Sequence, residues 1–378
     1  MRILHVSRSA ETLRAFLIPT MNAQKKLGHE VFICAQDSPQ AEQLRKAGFE
    51  VYTHRMPRDL NLVRMYEAIR NIRRALVEKR IDVIICHTSL GAVVGRIAAW
   101  LAGTHRIVYF VHGLACGPAQ GPFSWQVRFQ VEKALGRLTD AIIVMNDYDE
   151  RLARRAPLAK SAAGVHRISS MGVDLSTFST HVTPEVRDRV SRELGIGPDQ
   201  KLVLCTARLI PEKGVVEFIE AAKQICKRRS DAFFALVGVG PLFEKLKRSV
   251  ERSGMQDRIR VLGWRDDVPD LMQSAHLFAL PSYFMEGLPV SIIEAMACGK
   301  PVVSTHHKGC EDAVVDQVTG FLVPVKRVPP LVDRIVRLLD DESLRTRLGQ
   351  AGRRRVEEVF EFEACTRRIV EVLEASMR

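Results

Sequence analysis

No stretch of the 378 residues approaches the ~18 consecutive apolar residues that a bilayer-crossing helix needs. A membrane span is therefore excluded from the reading. The opening MRILHVSRSAETLRAF has too short an apolar core for a signal peptide, and Arg8 interrupts it. ILHVS reads instead as a first strand, and the chain is expected in the cytoplasm. The eight cysteines (34, 86, 116, 205, 226, 298, 310, 365) include no C-x-x-C pair. Most lie in apolar runs such as VFIC, VIIC and LVLC, so they are expected to be buried free thiols. Aromatic residues make up only 6% and do not interleave with basic ones, which removes the stacking platform of a single-strand nucleic-acid binder. No G-x-G-x-x-G follows the first strand, which argues against a dinucleotide oxidoreductase. There is no low-complexity tract.

What is present is an ordinary soluble composition, 46% hydrophobic and 26% charged, in a chain long enough for two domains. Its net charge of +12 is unevenly placed. Residues 1–170 carry 25 Lys and Arg against 14 Asp and Glu, a balance of +11, whereas residues 171–378 carry 31 against 30, a balance of +1. The densest basic stretch is PRDLNLVRMYEAIRNIRRALVEKR (57–80). Any single charge there suits a solvated helix face. The asymmetry as a whole suggests an anionic partner, and the reading favours a membrane surface over nucleic acid.

The first half alternates short β-branched runs with amphipathic stretches. Strands are expected at ILHVS (3–7), EVFICA (30–35), EVYTHR (50–55), DVIICH (82–87), RIVYFVHG (106–113) and AIIVMN (141–146). Helical patterns such as 13–28 and 62–80 lie between them. The alternation restarts at KLVLCTA (201–207) and continues through AFFALVG (232–238), IRVLG (259–263), HLFALPS (276–282), PVVST (301–305) and GFLVP (320–324). Apolar strands separated by helices predict parallel sheets covered on both faces, an α/β fold of two doubly wound Rossmann-like domains. The boundary is expected near SSMGVDLSTF, giving domains 1–170 and 171–361, with a final helix 362–378 that could rejoin the first. In open parallel sheets ligands bind beyond the carboxyl ends of the strands, so residues just after strands are the place to look for chemistry.

Two such places stand out. In KLVLCTARLIPEKG, Arg208 and Lys213 lie in the turn after a strand, where two cations and a following helix N-terminus suit a diphosphate. Alone, two cations on an ordinary loop would look the same. In EGLPVSIIEAMACGKPVV, Pro289 predicts a helix start, and the helix is expected over about 288–298, ended by Gly299. Glu286 then sits at its entrance and Glu294 five residues in, roughly 7–8 Å along the axis. Between the two acids lies a helix N-terminus, whose N–H groups attract anions. Acid, anion hole, acid matches the layout of a nucleotide sugar: sugar hydroxyls, diphosphate, ribose hydroxyls.

EGLPVSIIE, with TARLIPEKG upstream, resembles the group 1 (family 4) glycosyltransferases, retaining enzymes of the GT-B fold. LVGVGPLFEKLK, VLGWRDDVPDLMQSAHLFALPS, GKPVVST and TGFLVP extend the likeness through the second half, and MGVDLSTF resembles the family's linker. In the first half, VHGL, TDAIIVMND and GHEVFICA look like members that build bacterial surface polysaccharides. The resemblance implies that Arg208 and Lys213 hold the donor diphosphate and neutralise the leaving group. Glu294 would bind the ribose and Glu286 the donor sugar. The backbone of Gly287 and Leu288 would face the phosphates, and Gly263 to Val268 would lie near the base. His112, after a strand of the acceptor-side domain, would face the transferred sugar across the cleft, with His87 a weaker candidate on the acceptor side. Many members carry glycines after the first strand. This chain has SRSAETLRAF there, leaving hydroxyls between Ser7 and Thr12 to serve instead.

The resulting expectation is a hexosyl-type transferase that moves a sugar, with retention, from a nucleotide-diphosphate donor, a UDP-sugar, to a saccharide or lipid-linked acceptor. Its setting would be polysaccharide, lipopolysaccharide or other cell-envelope glycan synthesis, peripheral on the inner face of the membrane. Cations and N–H donors at the growing negative charge would do the electrostatic work, so no divalent metal or other cofactor is expected. A Glu286 nucleophile is not expected, because a two-carboxylate retaining plan needs about 5–5.5 Å between the groups. One rival signal is the D-x-D of DYDE (147–150), which elsewhere holds Mn²⁺ or Mg²⁺; here it is read as the start of a helix capped by Asn146 or Asp147. A nucleotide-sugar epimerase of the same architecture and a nucleotide-binding module without turnover are the alternative functions.

Overall fold

The computed structural model describes residues 1–54, 61–117, 121–283 and 286–377. The chain divides into two compact units, one of residues 1–171 with 363–378 and one of residues 172–362. Arg55 of the expected third strand, and 57–60 of the basic stretch, lie outside the described residues.

The first unit holds a seven-stranded parallel sheet, built from β1 (Arg2–Val6), β2 (Glu30–Gln36), β3 (Glu50–His54), β4 (Val83–His87), β5 (Arg106–Phe110), β6 (Ala141–Val144) and β7 (Val165–Arg167). Their order is β3-β2-β1-β4-β5-β6-β7. The second unit holds six parallel strands, β8 (Lys201–Thr206), β9 (Ala232–Val237), β10 (Ile259–Gly263), β11 (Leu277–Ala279), β12 (Val302–Thr305) and β13 (Gly320–Val323), in the order β10-β9-β8-β11-β12-β13. Helices on both faces explain why β4 and β9 are buried at every position rather than at alternate ones. All eight cysteines are buried thiols outside any disulfide. Each order reverses once, at β1/β4 and at β8/β11. Such a reversal opens a crevice at the strand carboxyl ends, the favoured ligand position in open α/β sheets.

Three elements depart from the sequence expectations. The helical pattern at 13–28 is two helices, Ala10–Phe16 and Ile18–Lys26, because Pro19 fixes a new helix start where it has no N–H to donate. The run 106–113 is strand only to Phe110; Val111 still donates to the Ile143 carbonyl (2.8 Å), but Gly113 at φ +119 turns the chain away. The strand β7, with a single Val165 buried, has too little apolar signal to be read from sequence.

The last helix, Phe362–Met377, packs in the first unit, where His29 Nε2 meets Glu374 at 2.9 Å. Among the described residues no helix is long and apolar enough to cross a membrane.

Candidate active site

The β8/β11 switch point is assembled from loops that hydrogen-bond one another. After β8 the chain runs through Arg208 into a 3-10 turn, Pro211–Lys213, and then Gly214 at φ +70 opens the helix Val215–Cys226. After β11 comes Pro281–Tyr283. Tyr283 N–H donates to the Glu212 carbonyl (2.8 Å), and Ser282 Oγ lies 3.3 Å from the same oxygen. Gly214 is required by this contact: a Cβ there would stand 2.1 Å from the Pro281 carbonyl oxygen. From β12, Thr305 donates its hydroxyl to the Ser282 carbonyl, and Ser304 donates to that of Leu280 (2.8 Å).

Glu286 lands inside this frame, only 6% exposed. Lys213 Nζ is ion-paired with its Oε1, and Ser282 Oγ donates to the same oxygen at 2.9 Å. Burial pushes the Glu286 carboxyl up. The Lys213 charge and hydrogen bond, the Ser282 hydroxyl and the Arg208 charge more than offset it, so the group is held below the ordinary carboxylate value and is ionised at neutral pH. Gly309, at φ +78, lies so near that a Cβ would meet the Gly287 carbonyl oxygen at 2.8 Å and Glu286 Cβ at 2.9 Å. The expected residues Arg208, Lys213 and Glu286 thus share one site. Ser282 and Gly309 belong to it too; the serine's place at the end of the apolar run HLFALPS was its only sequence signal.

The helix beyond Glu286 is Val290–Ala297 rather than 288–298. Pro289 is its N-cap, at ψ 107, not a first-turn residue. A proline ring needs no N–H at either place, so the sequence signal does not distinguish them. Pro289 supplies no side-chain cap and no acid lies in the first turn, giving an electropositive end just after Gly287 and Leu288. Glu294 is the fifth residue of the helix. Burial alone, with no offsetting neighbour, pushes its carboxyl up to about 7.

Gly263 closes β10 at φ +74, and Val268 opens the helix Val268–Ser274, so both lie on the same carboxyl edge, two strands from β8. Between them Arg265 is held by Asp267 at 2.7 Å and by Glu193, while Trp264 is exposed.

In the first unit His112 lies two residues beyond β5, half-buried. Its Nε2 is 3.2 Å from His87 Nδ1, at the end of β4; His87 Nε2 is 3.0 Å from His5 Nδ1, in β1; and His5 Nε2 is 2.9 Å from Gln24 Oε1. Burial pushes His5 and His112 down to about 4 and His87 well below its ordinary value. His87 was legible as a strand-end histidine. His5 and Gln24 were not singled out, although a histidine inside the apolar run ILHVS was the available signal.

Of the Ser7–Thr12 hydroxyls, Ser9 is taken as the cap of Ala10–Phe16, and Ser7 Oγ is buried without a hydrogen-bond partner. The D-x-D is dispersed. Asn146 caps the helix Asp147–Arg155, accepting from Asp149 N–H at 2.8 Å. Asp149 is buried and accepts from Leu114 N–H (2.9 Å), whereas Asp147 pairs with Arg151 and Arg167 on the surface. Among the described residues no cluster of three His, Cys, Asp or Glu could hold a metal.

The family model for glycosyl transferases group 1 matches residues 186–355, and that for the glycosyl transferase 4-like domain matches residues 19–167. A Campylobacter jejuni N,N'-diacetylbacillosaminyl-diphospho-undecaprenol α-1,3-N-acetylgalactosaminyltransferase is 30% identical over 360 residues, 93% of this chain and 92% of its own. An Escherichia coli UDP-Gal:α-D-GlcNAc-diphosphoundecaprenol α-1,3-galactosyltransferase is 26% identical over 318 residues, 82% of this chain and 80% of its own. In fold, Anabaena HepE, solved with UDP and glucose, aligns over 99% of this chain and 100% of its own at a TM-score of 0.83 and 22% identity. The chain belongs to the group 1 glycosyltransferases and has their GT-B fold. It is a glycosyltransferase enzyme.

Proposed function

We propose that the protein transfers a sugar, with retention of configuration and without a divalent metal, from a UDP-sugar to a lipid-linked saccharide during cell-envelope glycan synthesis. The observation that carries this reading is Glu286: a buried, ionised carboxylate bonded to Lys213 and Ser282, in the field of Arg208, at a strand switch point ahead of an uncapped helix. In transfer the bond from sugar to diphosphate breaks and its electron pair stays on the phosphate oxygen. The acceptor oxygen forms the new bond on the same face, and its proton leaves with the diphosphate. Negative charge grows on the departing phosphate, where fixed cations and N–H groups give the largest help. Arg208, Lys213 and the N–H groups around Gly287 and Leu288 take that role. Glu286 orients the donor-sugar hydroxyls, Glu294 accepts from the ribose, and Gly263 to Val268 border the base. In the first unit, the acceptor side, His112 serves the transferred sugar.

Donor and acceptor class rest on the relatives, two of which carry names with diphospho-undecaprenol-linked sugars. A lipid-linked acceptor requires access to a membrane surface. The helix Pro122–Gly136 exposes Phe123 (83%), Val127 and Val131 at a four-residue spacing, with Arg128 and Lys133 beside them. The helix Leu62–Glu78 exposes Leu62, Val63 and Tyr66 along with Arg64, Arg70, Arg73 and Arg74. Apolar residues among cations suit the headgroup region of an anionic bilayer, on the cytoplasmic side by this reading.

The test is transfer from UDP-sugars to a diphosphate-linked lipid saccharide, with product stereochemistry read by NMR. Hydrolysis or transfer by the pure protein excludes a binding module. Donor isomerisation without acceptor would favour the epimerase and overturn the transferase reading.

A further inference from the structure

We propose that Gln24, His5 and His87 form a hydrogen-bonded column that fixes which ring nitrogen of His112 carries the proton, leaving Nδ1 of His112 as the lone pair offered to a substrate hydroxyl. This rests on the assignment of His112 to the transferred sugar. It adds three positioning residues, none of which touches the ligand.

The column follows from counting donors. A neutral imidazole has one N–H and one lone pair, so in a chain of neutral rings every hydrogen bond must point the same way. The three rings lie at the β1/β4 switch point and its neighbour β5, and each contacts the next through a ring nitrogen, at 3.0 and 3.2 Å. His5 and His87 are stacked almost parallel, 5.3 Å between centroids, and His112 is also stacked on Phe110 at 5.1 Å. Burial keeps all three neutral at pH 7. The direction is set at the far end. We take Gln24, itself fully buried, with its carbonyl Oε1 toward His5 Nε2 at 2.9 Å, an orientation that leaves its own Nε2 buried without a hydrogen-bond partner. A carbonyl oxygen only accepts, so His5 is protonated on Nε2 and its Nδ1 accepts from His87 Nε2–H. His87 Nδ1 in turn accepts from His112 Nε2–H. The remaining nitrogen, His112 Nδ1, has no proton. Reversing Gln24 would reverse every bond and put a proton on Nδ1.

A ring with an undecided tautomer would present donor and acceptor in alternation to the same hydroxyl. A single column with a buried amide anchor removes that ambiguity without placing a charge near the sugar.

The experiment is long-range ¹H–¹⁵N correlation on the full chain with ¹⁵N-labelled histidine rings, at pH 7, assigned with single His→Gln variants. His5, His87 and His112 are expected to show the Nε2-protonated pattern. His112 protonated on Nδ1, or averaged between tautomers, overturns the proposal. In Gln24→Met, which keeps the volume but removes the acceptor, His112 is expected to average. With equal tautomers half the molecules carry the wrong one, so turnover falls about twofold while donor KM holds; an unchanged Nε2-protonated pattern in this variant also overturns the proposal. If the wild-type rings are ordered as expected but His112→Ala transfers at the full rate, the column stands and the assignment of His112 to the sugar fails.

Discussion

Glu294 gives the sharpest test of where the nucleotide lies. In the free chain burial raises its carboxyl from 4.5 to about 7. A ribose that donates two hydroxyls to the carboxylate stabilises the ionised form and draws this value back down. The ligand then binds the ionised form, which is about one-tenth of molecules at pH 6 and about nine-tenths at pH 8. Affinity for a UDP-sugar, whose diester phosphates do not titrate in this range, should therefore be about tenfold weaker at pH 6 than at pH 8. Close to one proton should be released per ligand at pH 6 and about 0.1 at pH 8. Isothermal titration in buffers of different ionisation enthalpy reads both quantities. Glu294→Gln should abolish the pH slope. It should also weaken binding at pH 8 by about 5–30-fold, the difference of about 1–2 kcal/mol between hydrogen bonds to a charged acceptor and to the neutral amide oxygen that replaces it. Stability moves the other way. The folded chain holds this proton more tightly than the unfolded one, so the contribution is fullest below about 4.5, is lost as pH rises to about 7, and is flat above. The loss is about 3 kcal/mol at most, and the Gln variant should melt higher than wild type at pH 8 but not at pH 4. Equal affinity at pH 6 and 8, or an unaltered slope in Glu294→Gln, would remove Glu294 from the ribose site.

Lys213→Ala should lower turnover by about 10²–10³-fold, the usual loss of one group at the developing oxyanion. It also leaves Glu286 buried and unpaired, so the melting temperature should fall; Lys213→Met with Glu286→Leu should recover stability but not activity, and recovered activity would refute the assignment. Transfer should survive excess EDTA, and activity lost to EDTA and restored by Mn²⁺ would overturn the metal-free reading. Asn146→Ala should cost about 1 kcal/mol of stability through the lost helix cap while retaining activity, as read by denaturant titration beside the transfer assay. Flotation with vesicles of anionic phosphatidylglycerol should exceed that with zwitterionic vesicles and fall in Phe123→Asp, and equal recovery in all three would remove the membrane contact.

The strands were legible because a parallel sheet covered on both faces writes itself as continuous apolar runs, such as AFFALV at Ala232–Val237. The weak edge strand Val165–Arg167 was not, since an edge needs few apolar residues. Arg208 and Lys213 were visible in the turn after a strand, and Glu286 at the entrance of a helix. Their mutual contact was not, because it depends on Gly214 and Gly309 letting backbones from distant segments approach within the radius of a missing Cβ. Glu294 was visible by helical spacing, but its shifted carboxyl comes from burial, which spacing does not report. The histidine column escaped for a similar reason: residues 5, 24, 87 and 112 meet only through the order β1-β4-β5.

The two switch points are filled with opposite electrostatics, and the reaction accounts for the difference. In the second unit Arg208 and Lys213 surround an ionised Glu286, which under the proposed function puts positive charge where the phosphate would leave. In the first unit burial strips the histidines of charge, and the column pairs His5 with Gln24 and His87, and His87 with His112, leaving only His112 Nδ1 outside it. An imidazolium near a sugar ring that is gaining positive charge would oppose the transition state, whereas a neutral ring can still hydrogen-bond a hydroxyl. A histidine placed singly at a strand end and open to water would keep a pKa near 6.5 and be partly charged at pH 6 to 7. Two buried histidines in contact with a half-buried His112 keep that ring neutral, and if His112 serves the sugar as proposed, an acidic limb in kcat that follows its protonation should be absent down to about pH 5.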